Sequence, residues 1–210
     1  MLIISHRGYW LDETEKNSLA AFGRSFSLGF GTETDVRDWD GQLVISHDPA
    51  NSECLTLEQF LNLYLQYPSR PTLALNIKAD GMQAALQSQL KLFGIDNYFV
   101  FDAAVPDGLL YLRCGMKTYT RHSEYEPVPA YYEKAHGVWL DEFDGHWLSD
   151  EVIEQHLSAG KAVCIVSPEL HKRSYEKEWK HYYDLEKKLG KDKLMLCTDL
   201  PEHADVFFNA

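Results

Sequence analysis

Strand and helix patterns alternate eight times along 210 residues. They predict an α/β fold: a single (β/α)8 barrel of parallel strands, with an extra hairpin after the second. Two further observations point the same way. Polar residues gather at the ends of the first three strand patterns, where barrels of this kind carry their chemistry. No GxGxxG or P-loop spacing appears, which lowers the rival, an open doubly wound sheet. One domain covering 1–210 is expected, near the short end for a barrel.

The elements follow in order. An apolar run at 2–5 ends in His6-Arg7-Gly8. A helix is expected from Asn17, because Leu19, Phe22 and Phe26 recur at helical spacing before Gly29 closes it. The second strand carries Glu33 and Asp35, and Asp40-Gly41 signals a tight turn into Leu43-Val44-Ile45. Thr56-Leu57-Glu58-Gln59 reads as a capping box, opening a helix with Phe60, Leu61 and Tyr64 on one side. Strand three at 72–78 leads to a helix over 81–93, stopped by Gly94. Strand four at 98–101 leads to a short helix over 107–113. Strand five is expected at 116–120 with a helix near 129–135, and strand six at 137–140. Ser149 ahead of Asp150 and Glu151 begins a helix that Gly160 stops. Strand seven at 161–166 precedes a long charged helix over 174–189. Strand eight at 193–197 precedes a last helix from Pro201.

Composition narrows the function. A formal charge of −12 argues against a nucleic-acid partner, while a bound cation still permits a small phosphate-containing substrate. The four cysteines show no zinc spacing, and Cys164 and Cys197 sit in apolar runs as buried thiols. No signal peptide is read at the start, and no apolar stretch approaches the roughly 20 residues of a membrane span. A cytoplasmic location is expected.

The chemistry-bearing stretch runs from Glu33 to Asp48. In a strand, residues two apart share a face, so Glu33 and Asp35 point the same way. The turn at Asp40-Gly41 would fold His47 back toward them. Paired carboxylates repel unless a cation or donors lie between them, so the pair points to a hard-metal site beside an acid or base. A solvated edge strand is the alternative. In strand three Ala74, Asn76 and Lys78 share the face expected at the barrel mouth, and Leu73, Leu75 and Ile77 the face toward the helices.

His6-Arg7-Gly8, Asn17-Ser18-Leu19-Ala20-Ala21-Phe22, Glu33-Thr34-Asp35, His47-Asp48 and Thr198-Asp199-Leu200-Pro201 closely resemble the glycerophosphodiester phosphodiesterase family. The resemblance implies a TIM-like barrel, a place in lipid metabolism, and a phosphoric diester hydrolase assisted by a divalent cation, Mg²⁺ or Ca²⁺. It makes His6 and His47 the general acid–base pair, Glu33, Asp35 and Asn76 the metal positions, and Arg7 and Lys78 the phosphate contacts. The substrate hydroxyl beside the phosphate attacks phosphorus, and water then opens the cyclic phosphate. Two alternatives stand beside hydrolysis: a non-catalytic barrel binding a phosphorylated ligand, and a lyase releasing the cyclic phosphate.

Three positions depart from the family pattern. Asn76 stands where a Glu is usual, which keeps an oxygen ligand but removes a charge. Lys16 replaces the usual Glu before Asn17, with Glu15 one place earlier. The helical insertion that roofs the glycerol end of the substrate is missing after His47-Asp48. Asp80 or Asp102 is considered as a replacement charge for Asn76. Trp139 and Tyr119 are expected to fill the barrel. Arg121, His122, Asp141 and Glu142 could line the mouth but are read mainly as solvated loop residues. Glu169 and His171 follow Val166-Ser167-Pro168, in a region where the family often has a substrate-contacting aromatic residue that this sequence lacks. His136, His146, His156, His181 and His203 are read as surface.

Overall fold

The computed structural model describes residues 1–209. Its strands are β1 (Leu2–His6), β2 (Gly31–Trp39), β3 (Gln42–Ile45), β4 (Leu55–Thr56), β5 (Leu73–Ile77), β6 (Tyr98–Phe101), β7 (Tyr119–His122), β8 (Gly137–Leu140), β9 (Ala162–Val166) and β10 (Leu194–Thr198). Its helices are α1 (Leu19–Ser27), α2 (Leu57–Tyr64), α3 (Gln83–Leu92), α4 (Val105–Arg113), α5 (Asp150–Ser158), α6 (Glu176–Leu189) and α7 (Pro201–Asn209). Parallel pairing runs β6–β5–β2–β1–β10–β9–β8–β7. The ring closes between β6 and β7 through one bridge, Val100 to Thr118, with Val100 N–H donating to the Lys117 carbonyl at 2.8 Å. The antiparallel β2–β3 hairpin, extended by β4, stands outside the ring as the sequence predicts.

Side-chain alternation sorts the strand residues into three cores. The lumen holds Ile4, Ala74, Phe99, Phe101, Tyr119, Trp139, Cys164, Val166, Met195 and Cys197. Phe99 stacks on Tyr119 at 3.8 Å and Phe101 on Trp139 at 3.9 Å, so Tyr119 and Trp139 do fill the barrel. The Tyr119 ring lies over its cross-strand partner Gly137, where a Cβ would fall 2.5 Å from the ring. Outside, Leu73, Leu75 and Ile77 pack with Phe22, Phe60 and Tyr64 of α1 and α2. Each fully buried side chain of this size contributes about 1.5–3 kcal/mol. On the other side, Val138, Ile165 and Leu196 pack with Trp179 and Tyr182 of α6. The capping box at Thr56 is complete: its hydroxyl accepts from Gln59 N–H while the Gln59 side chain accepts from Thr56 N–H.

Two predicted elements shift. The helix expected near 129–135 is a single 3-10 turn, Tyr132–Lys134. Pro127 and Pro129 precede it, and Tyr131 is left-handed at φ 44°, with its ring against Gly108 of α4. Strand five begins later than expected, because Met116 is buried in the outer core and Thr118 makes only the bridge to β6.

Candidate active site

Gly8 makes the first turn of the site possible. It has φ 85°, and a Cβ there would fall 2.8 Å from the Ala21 side chain, so only glycine lets the β1 turn dock on α1. Arg7 before it is also left-handed, at φ 57°, and so is Asp102 after β6, at φ 62°. Both line the same cavity, and non-glycine residues in this region are a mark of functional turns. The turn is braced from below by Glu15, whose carboxylate accepts from both Arg24 guanidinium nitrogens at 2.7 and 2.8 Å and from Leu11 N–H at 3.0 Å. Arg24 holds the Glu15 carboxyl down at about 2. Glu15 thereby supplies a carboxylate brace for the loop in which Lys16 departs from the family pattern.

At the carboxyl ends of the strands a cavity of about 180 Å³ opens. His6, Arg7, Glu33, Asn76, Asp102, Asp141 and His171 supply its polar lining. Phe101, Trp139, Val166 and Leu170 supply its apolar surface. His6 Nδ1–H donates to Asp199 Oδ1 at 2.7 Å, which leaves Nε2 toward Glu33 Oε2 at 4.0 Å. Glu33 is 2% exposed and accepts from Arg7 N–H at 3.1 Å. Burial and the neighbouring Asp35 push its carboxyl up to about 7, against the pull of His6, Arg7 and Lys78.

Asp35 is held between two cations, Arg7 Nε at 3.1 Å from Oδ2 and Lys78 Nζ at 3.3 Å from Oδ1, and Asn17 donates to Oδ2 at 2.8 Å. Asn76 turns its amide nitrogen to Asp102 Oδ2 at 3.2 Å. Asp102 also receives Arg121 at 3.1 Å, and burial raises its carboxyl. The result is one buried acceptor oxygen without a donor, Asn76 Oδ1, beside Asp35 Oδ1, which meets the Lys78 ammonium as an ion pair at 3.3 Å. With the Glu33 carboxylate, these oxygens form the donor set that a hard divalent cation prefers, so the residues fit such an ion. Among the described residues no three His, Cys, Asp or Glu groups converge on a metal position, so the set depends on the Asn76 amide oxygen.

His47 stands apart from this cluster. It follows β3, its side chain is 45% exposed, and its Nδ1 bonds the neighbouring Asp48 at 2.9 Å. The hairpin register explains why: Val36 pairs with Ile45, and Ser46 N–H donates to the Asp35 carbonyl, so Ser46 rather than His47 comes opposite the acid. Arg37 donates to the His47 carbonyl at 3.1 Å. His6, Arg7, Glu33, Asp35, Asn76 and Lys78 are thus brought together, and His47 lies on the rim outside the cavity lining.

Several residues read as solvated or surface are buried. Asp141 and Glu142 are 6% and 0% exposed, and His156 is 4% exposed. His156 sits between His122 at 3.0 Å and the Tyr132 hydroxyl at 2.8 Å. Its place on the inner face of α5, four residues from Val152 and three from Ile153, is the signal that sequence periodicity offered. A larger groove, about 510 Å³, lies at the opposite end of the barrel beside Lys161, Ala162 and Lys193, the end associated with stability rather than chemistry.

The chain is a closed eight-stranded α/β barrel with a His–Asp pair, a buried acid pair and two cations at its carboxyl mouth. Comparison with solved structures makes the fold more particular. A Galdieria sulphuraria protein provisionally described as a glycerophosphodiester phosphodiesterase superposes with TM-score 0.80 at 18% identity, covering 100% of this chain and 98% of that one. The glycerophosphodiester phosphodiesterase of Agrobacterium tumefaciens gives 0.66 at 12% identity, with 100% of both chains covered. That of Parabacteroides distasonis gives 0.71 at 17%, covering 98% of this chain and 85% of that one. The chain has the fold of these structures. No family model matches it, and no curated protein matches it.

Proposed function

We propose that the chain is a phosphodiesterase that cleaves a small glycerophosphodiester-like substrate with the help of a divalent cation. The observation that carries this reading is the His6–Asp199 pair, set beside a buried carboxylate pair and two cations around one small cavity. His6 Nε2 takes the proton of the attacking hydroxyl, while Asp199 holds the ring in the tautomer that leaves Nε2 free. Arg7 and Lys78 meet the phosphate, the first through its planar fork and the second as a point charge. Glu33, Asp35 and Asn76 would hold the Mg²⁺ or Ca²⁺ ion. When bound, the ion draws charge from the phosphoryl oxygens and favours ionisation of the hydroxyl.

The small cavity supports a substrate whose phosphate enters while its head group projects past the loop that joins β3 to β4. Four free cysteines fit a reducing compartment, and no described helix is long and apolar enough to cross a membrane. A barrel that binds a phosphorylated ligand without turnover is the second reading, favoured by the amide at Asn76 and the lack of three converging ionisable ligands. Hydrolysis of glycerol p-nitrophenyl phosphate and of glycerophosphocholine, with and without Mg²⁺ or Ca²⁺, separates the two. Cation-dependent turnover that His6→Asn lowers by about 10²-fold or more is expected. Binding without turnover, indifferent to that change, favours the second reading. Phosphorus NMR of the product distinguishes hydrolysis from release of a cyclic phosphate.

A further inference from the structure

The cavity has a second histidine–carboxylate pair that its sequence motifs do not announce. His171 ends the 3-10 turn Pro168–His171 after β9, and its Nε2–H donates to Asp141 Oδ1 at 2.6 Å. Asp141 follows β8 and is 6% exposed. Both residues line the same cavity as His6. The two pairs have matching construction. In each, an acid from one strand end orients an imidazole from the next strand around the ring: Asp199 after β10 with His6 of β1, and Asp141 after β8 with His171 after β9.

Glu169 ties the pairs together. It lies in the same 3-10 turn as His171, accepts from Asp199 N–H at 3.2 Å, and is hydrogen-bonded by the Ser167 and Thr198 hydroxyls. Arg173 anchors the far side of the turn by donating to the Glu142 carbonyl at 2.5 Å. Phe143 packs on the His171 ring at 4.9 Å. Such bracing fixes an imidazole within a site rather than leaving it to sample solvent.

We propose that His171, oriented by Asp141, is the group that protonates the leaving oxygen while His6 takes the proton of the attacking hydroxyl. This rests on the phosphodiesterase reading above. The attacking oxygen forms its bond to phosphorus and gives its proton to His6 Nε2. The bond from phosphorus to the leaving oxygen breaks, its electron pair stays with that oxygen, and the proton on His171 Nδ1 completes the alcohol. One imidazole gains the proton that the other loses, and opening of the cyclic phosphate by water reverses the two roles. The carboxylate of Asp141 raises the His171 imidazole, assisted by Glu124 and opposed by burial and Arg173, a shift that favours the protonated ring.

Leaving-group dependence tests the assignment, because a p-nitrophenolate leaves without a proton whereas an alkoxide does not. In His171→Asn, kcat/KM for an alkyl glycerophosphodiester is expected to fall about 10²–10³-fold, with turnover of glycerol p-nitrophenyl phosphate, which keeps the attacking hydroxyl and changes only the leaving group, held within about tenfold of the unaltered chain. Asp141→Asn, which keeps the side-chain volume, is expected to give the same split and to lower the pH at which activity is lost on the basic side. An equal fall for both esters in His171→Asn would overturn the assignment, showing a role in folding or binding. So would unchanged alkyl-ester turnover in His171→Asn alongside its loss in His47→Asn, which would give the proton to the rim histidine. If the unaltered chain turns over neither ester with Mg²⁺ or Ca²⁺, the phosphodiesterase reading itself fails, and this assignment with it.

Discussion

Replacing Glu33 by glutamine should stabilise the cation-free protein, and only above about pH 4.5. The Glu33 carboxyl is buried beside Asp35 and is pushed from an ordinary value of 4.5 up to about 7. Below pH 4.5 it is protonated in both folded and unfolded chains and contributes no difference. Between 4.5 and 7 the unfolded chain releases the proton while the folded chain keeps it, so stability falls as pH rises. At about 1.4 kcal/mol per pH unit, the loss reaches about 3 kcal/mol by pH 7 and then levels off. The amide introduced by Glu33→Gln carries no such penalty and can still accept from Arg7 N–H. Thermal melts of chelated protein from pH 4 to 8.5 read the effect. For a chain of this length, about 3 kcal/mol corresponds to a Tm difference of roughly 6–12 °C at pH 8, shrinking to nothing near pH 4.5. Ca²⁺ should raise the Tm of the unaltered chain at pH 8 and leave Glu33→Gln nearly unmoved. A Tm difference that does not change with pH would refute the reasoning, and so would an equal response of both proteins to Ca²⁺.

Two further outcomes follow from neighbouring groups. Asn76→Glu should tighten Ca²⁺ binding about tenfold by titration calorimetry, since it adds a charge to the oxygen set. The same change should lower the Tm of the cation-free protein, because the new carboxylate faces Asp102 where the amide now donates at 3.2 Å. His156 is held neutral by burial, with His122 a smaller cause, and its imidazole is lowered to about 4. The unfolded chain therefore binds a proton between pH 6.5 and 4 that the folded chain refuses, and stability is lost as pH falls through that window. His156→Phe, read by urea midpoints, should flatten this acid limb; an unchanged slope would show that another group sets it.

The barrel was legible because each of its signals is local. The alternation in Leu73-Ala74-Leu75-Asn76-Ile77 sorts lumen from outer core by parity alone, and the Thr56 capping box and the turn at Asp40-Gly41 are short-range chemistry. The cluster of His6, Arg7, Glu33, Asp35, Asn76 and Lys78 followed from the same parity at three adjacent strand ends. What escaped the sequence depends on contacts between distant residues. His171 and Asp141 are thirty positions apart and meet only because β8 and β9 are neighbours. His156 looks like any polar residue of a charged helix until His122 and Tyr132 close over it. His47 carries a motif resemblance, yet the pairing that brings Ser46 rather than His47 opposite Asp35 is fixed across the hairpin, which the motif itself does not encode.

The single bridge between Val100 and Thr118 gives the molecule a built-in line of weakness. Everywhere else around the circumference several residues pair, whereas here the stacked rings of Phe99 and Tyr119 do the joining that peptide groups do elsewhere. The ring should open first along this crease. Amide hydrogens of Val100 and its neighbours should exchange with solvent sooner than those at the β1–β10 junction, where His6 and Asp199 sit. The fold thus keeps its softest join on the far side of the ring from the pair that must hold its geometry.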